Sequence, residues 1–259
     1  MRMKRDRWEF EDWASKGSSL IEESSEHSKI RIFYDYVIYA SPTDKSVTPC
    51  LTGEGWENWV SCWVENELTP ETLFIDIGAN CGYYSVLAAS QGSEVWAFEP
   101  NPQYFDLLNM TASENRFDMK VFHFALSDES GEATLHIPDG LEGSASLREV
   151  PGDYSIKEVK VETVKLDAYS SVNITSPILI KMDVESNEEN VWNGSEEFRD
   201  KFSPTFVMEY TPGKYSDKFV ESMERYGRLS YIDFSGEEHP VSRETLEASS
   251  DWMTVVVRP

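Results

Sequence analysis

Residues 73–82, LFIDIGANCG, constrain this chain more than any other stretch. An apolar run of strand length breaks there into an Asp-x-Gly-x-x-x-Gly turn, by which an α/β protein brings its backbone against a nucleotide-like ligand. A second apolar run, VWAF at 95–98, ends in Glu99, 23 positions after Asp76. In the dinucleotide-binding pattern an acid roughly 20 residues beyond the turn takes the ribose hydroxyls, because a carboxylate accepts two hydrogen bonds. The turn holds fewer glycines than that pattern demands. A pyrophosphate needs the close approach that three glycines give, whereas a ligand with an amino-acid tail and no phosphate does not. The turn therefore points to S-adenosyl-L-methionine rather than NAD.

The chain has 259 residues and is 40% hydrophobic, enough for one large α/β domain with an N-terminal extension. It carries 47 Asp and Glu against 23 Lys and Arg, a formal charge of -24. Such a field repels phosphate backbones, so no nucleic-acid partner is expected. A salt-adapted cell would give the same surface, and its salt would screen that field. Cys50, Cys62 and Cys81 show no CxxC or Cys/His ligand spacing, which fits a reducing, cytoplasmic setting without structural zinc. Cys81, inside the glycine turn, reads as a small buried side chain before a nucleophile. No run approaches the ~18 apolar residues of a membrane span, and the basic start lacks the apolar core of a signal peptide. Oligomeric state is not legible.

Residues 1–28 are polar and read as a mobile or loosely helical arm. Residues 30–40, IRIFYDYVIYA, read as a strand or hairpin. Trp56, Trp59, Val60, Trp63 and Val64 recur at helical spacing over 56–68, an aromatic stripe that suits core packing better than a ligand site. Glu54 and Glu57, beside Gly53 and Gly55, are better placed to line a cleft. Residues 1–70 thus form an arm with a hairpin and a Trp-rich helix, and 71–259 a cofactor-binding domain. Within that domain the pattern predicts strands at 73–77, 94–98, 120–125, 178–182 and 205–210. Helices fall over 83–90, 102–115 and 188–198. Strands alternating with helices imply a mostly parallel sheet with ligands at its carboxyl edge. From 131 to 166 short alternating runs flank a Gly/Ser-rich stretch, residues 139–146, and read as a β-insertion with a flexible loop. Two further strand candidates, 229–234 and 253–258, bring the count to seven, with a terminal antiparallel pair.

The blocks LFIDIGANCGYYS, VWAFEPNPQYFDLL, FALSDESGEATL, GSASL, VETVKLDAY, ILIKMDVES and PTFVMEY follow in that order. Together, over about Tyr39 to Tyr210, they resemble the FkbM-type S-adenosylmethionine-dependent methyltransferases. The resemblance implies a Rossmann-like class I methyltransferase fold and methyl donation to an oxygen of a sugar, glycan intermediate or other small molecule. Carried over position by position, Asp76, Gly78, Asn80 and Gly82 would hold the methionine part of the cofactor and Glu99 its ribose. Ala125 and Leu126 would pack on the adenine face. Elementary chemistry agrees: a cationic α-amino group needs acceptors, and glycine admits the backbone.

For transfer itself, Asp183 and Glu185, beyond strand 178–182, are the candidates, with Lys181 beside them. Attack on a sulfonium methyl needs a nearly unprotonated hydroxyl held ~3 Å away. A carboxylate accepts that proton, and burial raises its pKa toward neutrality. Lys181 would orient an acidic acceptor or pair with Asp183. Strand alternation sets Lys181, Asp183 and Glu185 on one face, so a mutually neutralised structural cluster is the competing reading. Glu209 ends the next strand and suits a cleft or a structural role equally. His123 and His136 lie in predicted strands, where structural histidines outnumber catalytic ones. Two acids fall short of the about six oxygen ligands a hard cation wants, so no obligatory metal is expected.

The family pattern reads Asp-Val-Glu-Gly-Ala-Glu where this chain has Asp183-Val184-Glu185-Ser186-Asn187-Glu188. That departure bears on the acceptor and leaves the cofactor motif intact. It also keeps open a non-catalytic protein that binds the cofactor. A nucleic-acid methyltransferase is the other alternative; it predicts a basic stripe or an Asn/Asp-Pro-Pro-Tyr/Phe motif, and the sequence has neither.

Overall fold

The three runs 73–77, 178–182 and 205–210 are apolar almost throughout, as strands covered on both faces must be. In the computed structural model, which describes residues 17–53 and 56–259, they lie side by side at the centre of an eight-stranded sheet. Its strands are β4 (Leu73–Ile77), β5 (Glu94–Phe98), β6 (Lys120–Phe122), β10 (Ile178–Met182), β11 (Thr205–Tyr210), β12 (Arg228–Ile232), β13 (Glu238–Pro240) and β14 (Met253–Arg258). The order is β13-β12-β14-β11-β10-β4-β5-β6. From β6 to β11 every pairing is parallel, and β14 runs antiparallel between β11 and β12. This is the expected α/β arrangement, a large mixed sheet in which all seven expected strands take part. To these β13 adds a three-residue edge whose Glu-His-Pro sequence carries no strand pattern.

Period-two alternation splits the sheet into two apolar faces. Phe74, Leu179, Val207 and Val256 pack with helices α2 (Asn58–Glu67), α3 (Tyr83–Ser90) and α4 (Pro102–Asn115). Ile75, Ile180, Met208 and Val255 pack on the other side, against α5 (Glu188–Asn193), α6 (Glu196–Phe202) and α7 (Asp217–Tyr226). The helix expected over 188–198 is two short ones because the chain breaks at Gly194. A Cβ there would stand 2.0 Å from the carbonyl oxygen of Ser127. Two further helices, α1 (Val47–Thr52) and α8 (Arg243–Ala248), are too short for periodicity to show. No helix among the described residues is long and apolar enough to cross a membrane.

Residues 19–28 depart from the reading of a mobile or loosely helical arm, while 30–40 hold the strands expected there. Strands β1 (Ser19–Glu23), β2 (Ser28–Arg31) and β3 (Val37–Ala40) form an antiparallel sheet of their own. Helix α4 satisfies its outer edge: Tyr39 N donates to Thr111 Oγ1 (3.0 Å) and Val37 N to Asn115 Oδ1 (2.9 Å). Ile30, Phe33 and Ile38 join the same apolar cluster as α2 and α3. The remainder of the expected arm, residues 1–16, and Glu54 with Gly55 lie outside the described residues.

The insertion is a long hairpin, β8 (Gly131–Pro138) with β9 (Ile156–Val164), joined in parallel by β7 (Ala125–Leu126). The expected third strand therefore ends at Phe122, and Ala125 and Leu126 belong to the insertion sheet. The loop expected to be flexible is pinned back over the carboxyl edge of the main sheet. Gly143 N donates to Asp44 Oδ2 (2.7 Å), Lys45 N to the carbonyl of Gly140 (2.9 Å), and Ser146 Oγ to the carbonyl of Glu185 (2.7 Å).

Candidate active site

At the carboxyl ends of β4, β5 and β10 the sheet opens into a cavity. The glycine turn floors it, and the insertion loop and the start of α1 roof it. Of the residues expected there, Asp76, Gly78, Asn80, Glu99, Ala125, Leu126, Lys181, Asp183 and Glu185 all line it. Gly82 does not. It caps α3 with a φ of 92°, and its missing Cβ makes room for Leu108 Cδ1, which would lie 2.4 Å away. Gly78 is required by the neighbouring strand, since a Cβ on it would meet the carbonyl of Asp183.

Glu99 follows β5 and is buried. Its Oε2 accepts from Asn80 N (2.7 Å) and its Oε1 from Asn101 N (2.8 Å). Each oxygen keeps a lone pair for a ligand hydroxyl. Burial pushes the carboxyl up to about 7, against the pull of those two N–H groups. Asp76 is buried at the end of β4 and accepts from Ser85 Oγ at 2.6 Å. Burial raises it to about 6, while the Ser85 hydroxyl and then Lys181 pull it down.

Register aligns Lys181 with Asp76 on one side and Val207 on the other. Lys181 is 5% exposed, lies 2.9 Å from Asp183 Oδ2, and sits 4.8 Å from the centre of the Tyr84 ring. Tyr84 OH in turn donates to Glu57 Oε2 (2.7 Å). Burial alone would lower the lysine; the charges of Asp183, Glu57 and Asp76 more than reverse this, so the ammonium stays charged. Asp183 is fixed further by its own N–H, which donates to Ile77 O (3.0 Å).

Alternation does not carry past Met182, and Glu185 is not on a strand face. The chain turns there with φ of 53° at Glu185 and 74° at Ser186. Glu185 reaches the cavity mouth, where enclosure and then Asp183, Glu209 and Glu188 lift it to about 8. Glu209, just beyond the Lys181–Val207 register on β11, is lifted to about 7 by burial and then by Asp183 and Glu188. Ser186 Oγ accepts from Lys214 Nζ (3.0 Å) and does not line the cavity, whereas Asn187 does.

Among the described residues no histidine lines the cavity; His123 stacks on Phe105 and His136 faces Glu158. Cys81 is buried and its thiol is pushed up by that burial, the state of a packing side chain. Among the described residues the acids of the cleft form no cluster with metal-ligand spacing; the group that does is Asp233 and Glu237 of the β12–β13 turn with His239 of β13. Tyr84, Tyr104 and Glu142 also line the cavity and were not legible as site residues. The two tyrosines follow helical spacing like core aromatics, and Glu142 sits in the Gly/Ser-rich loop.

A methyltransferase FkbM domain model matches residues 76–235. The chain belongs to the FkbM methyltransferase family. It is 26% identical over 129 residues to the hexuronic acid methyltransferase AglP of Haloferax volcanii, covering 49% of this chain and 52% of that protein. The chain thus spans about half the length of that curated relative. Among solved structures it is similar to methyltransferase FkbM from Methylobacillus flagellatus, with 14% identity, 73% of this chain, 44% of that one and a TM-score of 0.45. It is also similar to P. horikoshii TYW2 in complex with MeSAdo, with 14% identity, 92% and 72% coverage and a TM-score of 0.46.

Proposed function

We propose that this FkbM-family chain moves the methyl group of S-adenosyl-L-methionine to a hydroxyl of a sugar, glycan intermediate or other small molecule. The observation that carries this reading is that Glu99 and the Lys181–Asp183 pair open into one roofed cavity. The residues present suit the cofactor. Glu99 offers two free lone pairs to ribose hydroxyls, Asp76 and nearby carbonyls offer acceptors to a cationic amine, and Ala125 and Leu126 give an apolar wall. When bound, the cofactor supplies an electrophilic methyl on a sulfonium centre.

The chain's own residues do the rest. Asp183 takes the proton of the attacking hydroxyl. Lys181 holds the Asp183 carboxylate in one orientation, and the Tyr84 ring and Glu57 hold Lys181. The roof from the insertion loop excludes water, which strengthens these charges and leaves the acceptor as the nucleophile present. Most of the acceleration then comes from positioning. The kinship to a hexuronic acid methyltransferase supports a sugar acceptor. A tritiated-methyl assay over a panel of glycosides tests the reading: transfer is expected in the wild type and a large loss of turnover in Asp183→Asn. Full turnover in that variant would remove Asp183 from the chemistry.

A further inference from the structure

The described residues hold three buried side-chain polar atoms without a hydrogen-bond partner: Tyr104 OH, Glu142 Oε2 and Arg199 Nη1. Two of these residues, Tyr104 and Glu142, line the cavity; Arg199 is remote, its guanidinium stacked 3.8 Å above Trp192. A buried polar group without a partner is destabilising, so two at one cavity point to a ligand that completes them. Tyr104 is 1% exposed. Burial, and then Asp44 beside it, pushes the phenol up, but both oxygens of Asp44 already take two donors, Oδ1 the N–H groups of Ser46 and Val47, and Oδ2 the N–H of Gly143 and the hydroxyl of Ser46. Glu142 Oε1 is likewise taken, by Thr43 Oγ1 and Gly140 N, which leaves Oε2.

Two asparagines tie this pair to Glu99. Asn80 and Asn101 give their backbone N–H groups to the Glu99 carboxylate. Their side-chain amides go to the roof, Asn80 Nδ2 to Gly143 O (3.1 Å) and Asn101 Nδ2 to Glu142 O (3.3 Å). Tyr104 lies in the first turn of the helix that Asn101 caps. We propose that Tyr104 OH and Glu142 Oε2 form a second hydroxyl-binding pair, which takes the ribose diol of the adenosyl group together with Glu99. Each ribose hydroxyl both donates and accepts. An ionised Glu99 only accepts, so a diol held by it alone keeps its oxygen lone pairs unmatched. Tyr104 supplies the missing donor and Glu142 the further acceptor.

This inference rests on the cofactor reading above. Its test is calorimetric titration of the full chain with S-adenosylhomocysteine and with its 2′-deoxy and 3′-deoxy ribose analogues. The proteins are wild type, Tyr104→Phe and Glu142→Gln, each checked by thermal melting. The expected result is a loss of about tenfold for S-adenosylhomocysteine in each variant. For the analogue lacking the contacted hydroxyl, wild type and variant then bind alike. An equal loss for all three ligands, or none, overturns the second pair while leaving the cofactor reading standing. A wild type that binds no S-adenosylhomocysteine overturns both.

Discussion

A Cβ on Gly78 would stand 1.9 Å from the carbonyl oxygen of Asp183. The first glycine of the turn therefore serves the approach of two strand ends, and through it the cofactor turn and the acid proposed for transfer hold fixed positions. Gly78 also sits at φ 81°, where a side chain is strained. Gly78→Ala is expected to lower stability by about 2–4 kcal/mol, read by urea denaturation. A variant as stable as the wild type would show that the β10 turn moves away freely.

Stability should fall as pH rises from about 4 to 7. Asp76, Glu99 and Glu209 are held at about 6, 7 and 7 in the fold, above their ordinary 3.8, 4.5 and 4.5. In that window the folded chain binds more protons than the unfolded one, so the stability these groups contribute is present below pH 4 and lost through their folded values. Glu99 alone accounts for a decrease on the order of 3 kcal/mol. Asp233 and Glu238, held at about 2, act oppositely and weaken the fold only below about pH 4. A melting temperature highest near pH 4, with a flatter profile in Glu99→Gln, is the expected outcome. A profile rising to pH 8 would contradict it.

Ser186 occupies a left-handed position, φ 74°, where the family pattern has glycine. A non-glycine residue in that region carries about 1–2 kcal/mol of strain, part of which the entropy of an unfolded glycine offsets. Ser186→Gly should thus leave stability unchanged or raise it by up to about 1 kcal/mol. Ser186→Val should lower it. Chemical denaturation of both variants checks the sign, and a destabilised glycine variant would assign the turn's stability to the Ser186–Lys214 contact instead.

The net charge of -24 acts on the fold as self-repulsion. Since the screening length shrinks from ~10 Å at 0.1 M salt to ~3 Å at 1 M, the melting temperature should climb with sodium chloride over that range. An unchanged or falling melting temperature would mean that the acids are locally balanced by the pairs they make.

The sequence made legible what local pattern dictates. The bounds of β4, β10 and β11 follow from unbroken apolar runs, and α4 from the Asn101-Pro102 start. Positions decided by distant contacts were hidden. The split at Gly194 comes from the carbonyl of Ser127. The pinned loop depends on Asp44, nearly a hundred residues earlier in the chain, and no periodicity in the Gly/Ser-rich stretch announces it. Glu99 was readable because its spacing from the turn is fixed by one helix and one strand. Tyr104 was not, because a helical aromatic reads as core until its hydroxyl is found without a partner.

On the proposed function, one cavity binds the cofactor at Glu99 and carries out transfer at Asp183. Calorimetric titration of S-adenosylhomocysteine into wild type, Glu99→Ala and Asp183→Asn tests it most directly. The expected result is one-to-one binding to the wild type, weakened by about 1.5–3 kcal/mol in Glu99→Ala and nearly unchanged in Asp183→Asn. Absence of binding to the wild type would remove the cofactor from the cavity, and equal losses in both variants would remove the division of roles between Glu99 and Asp183.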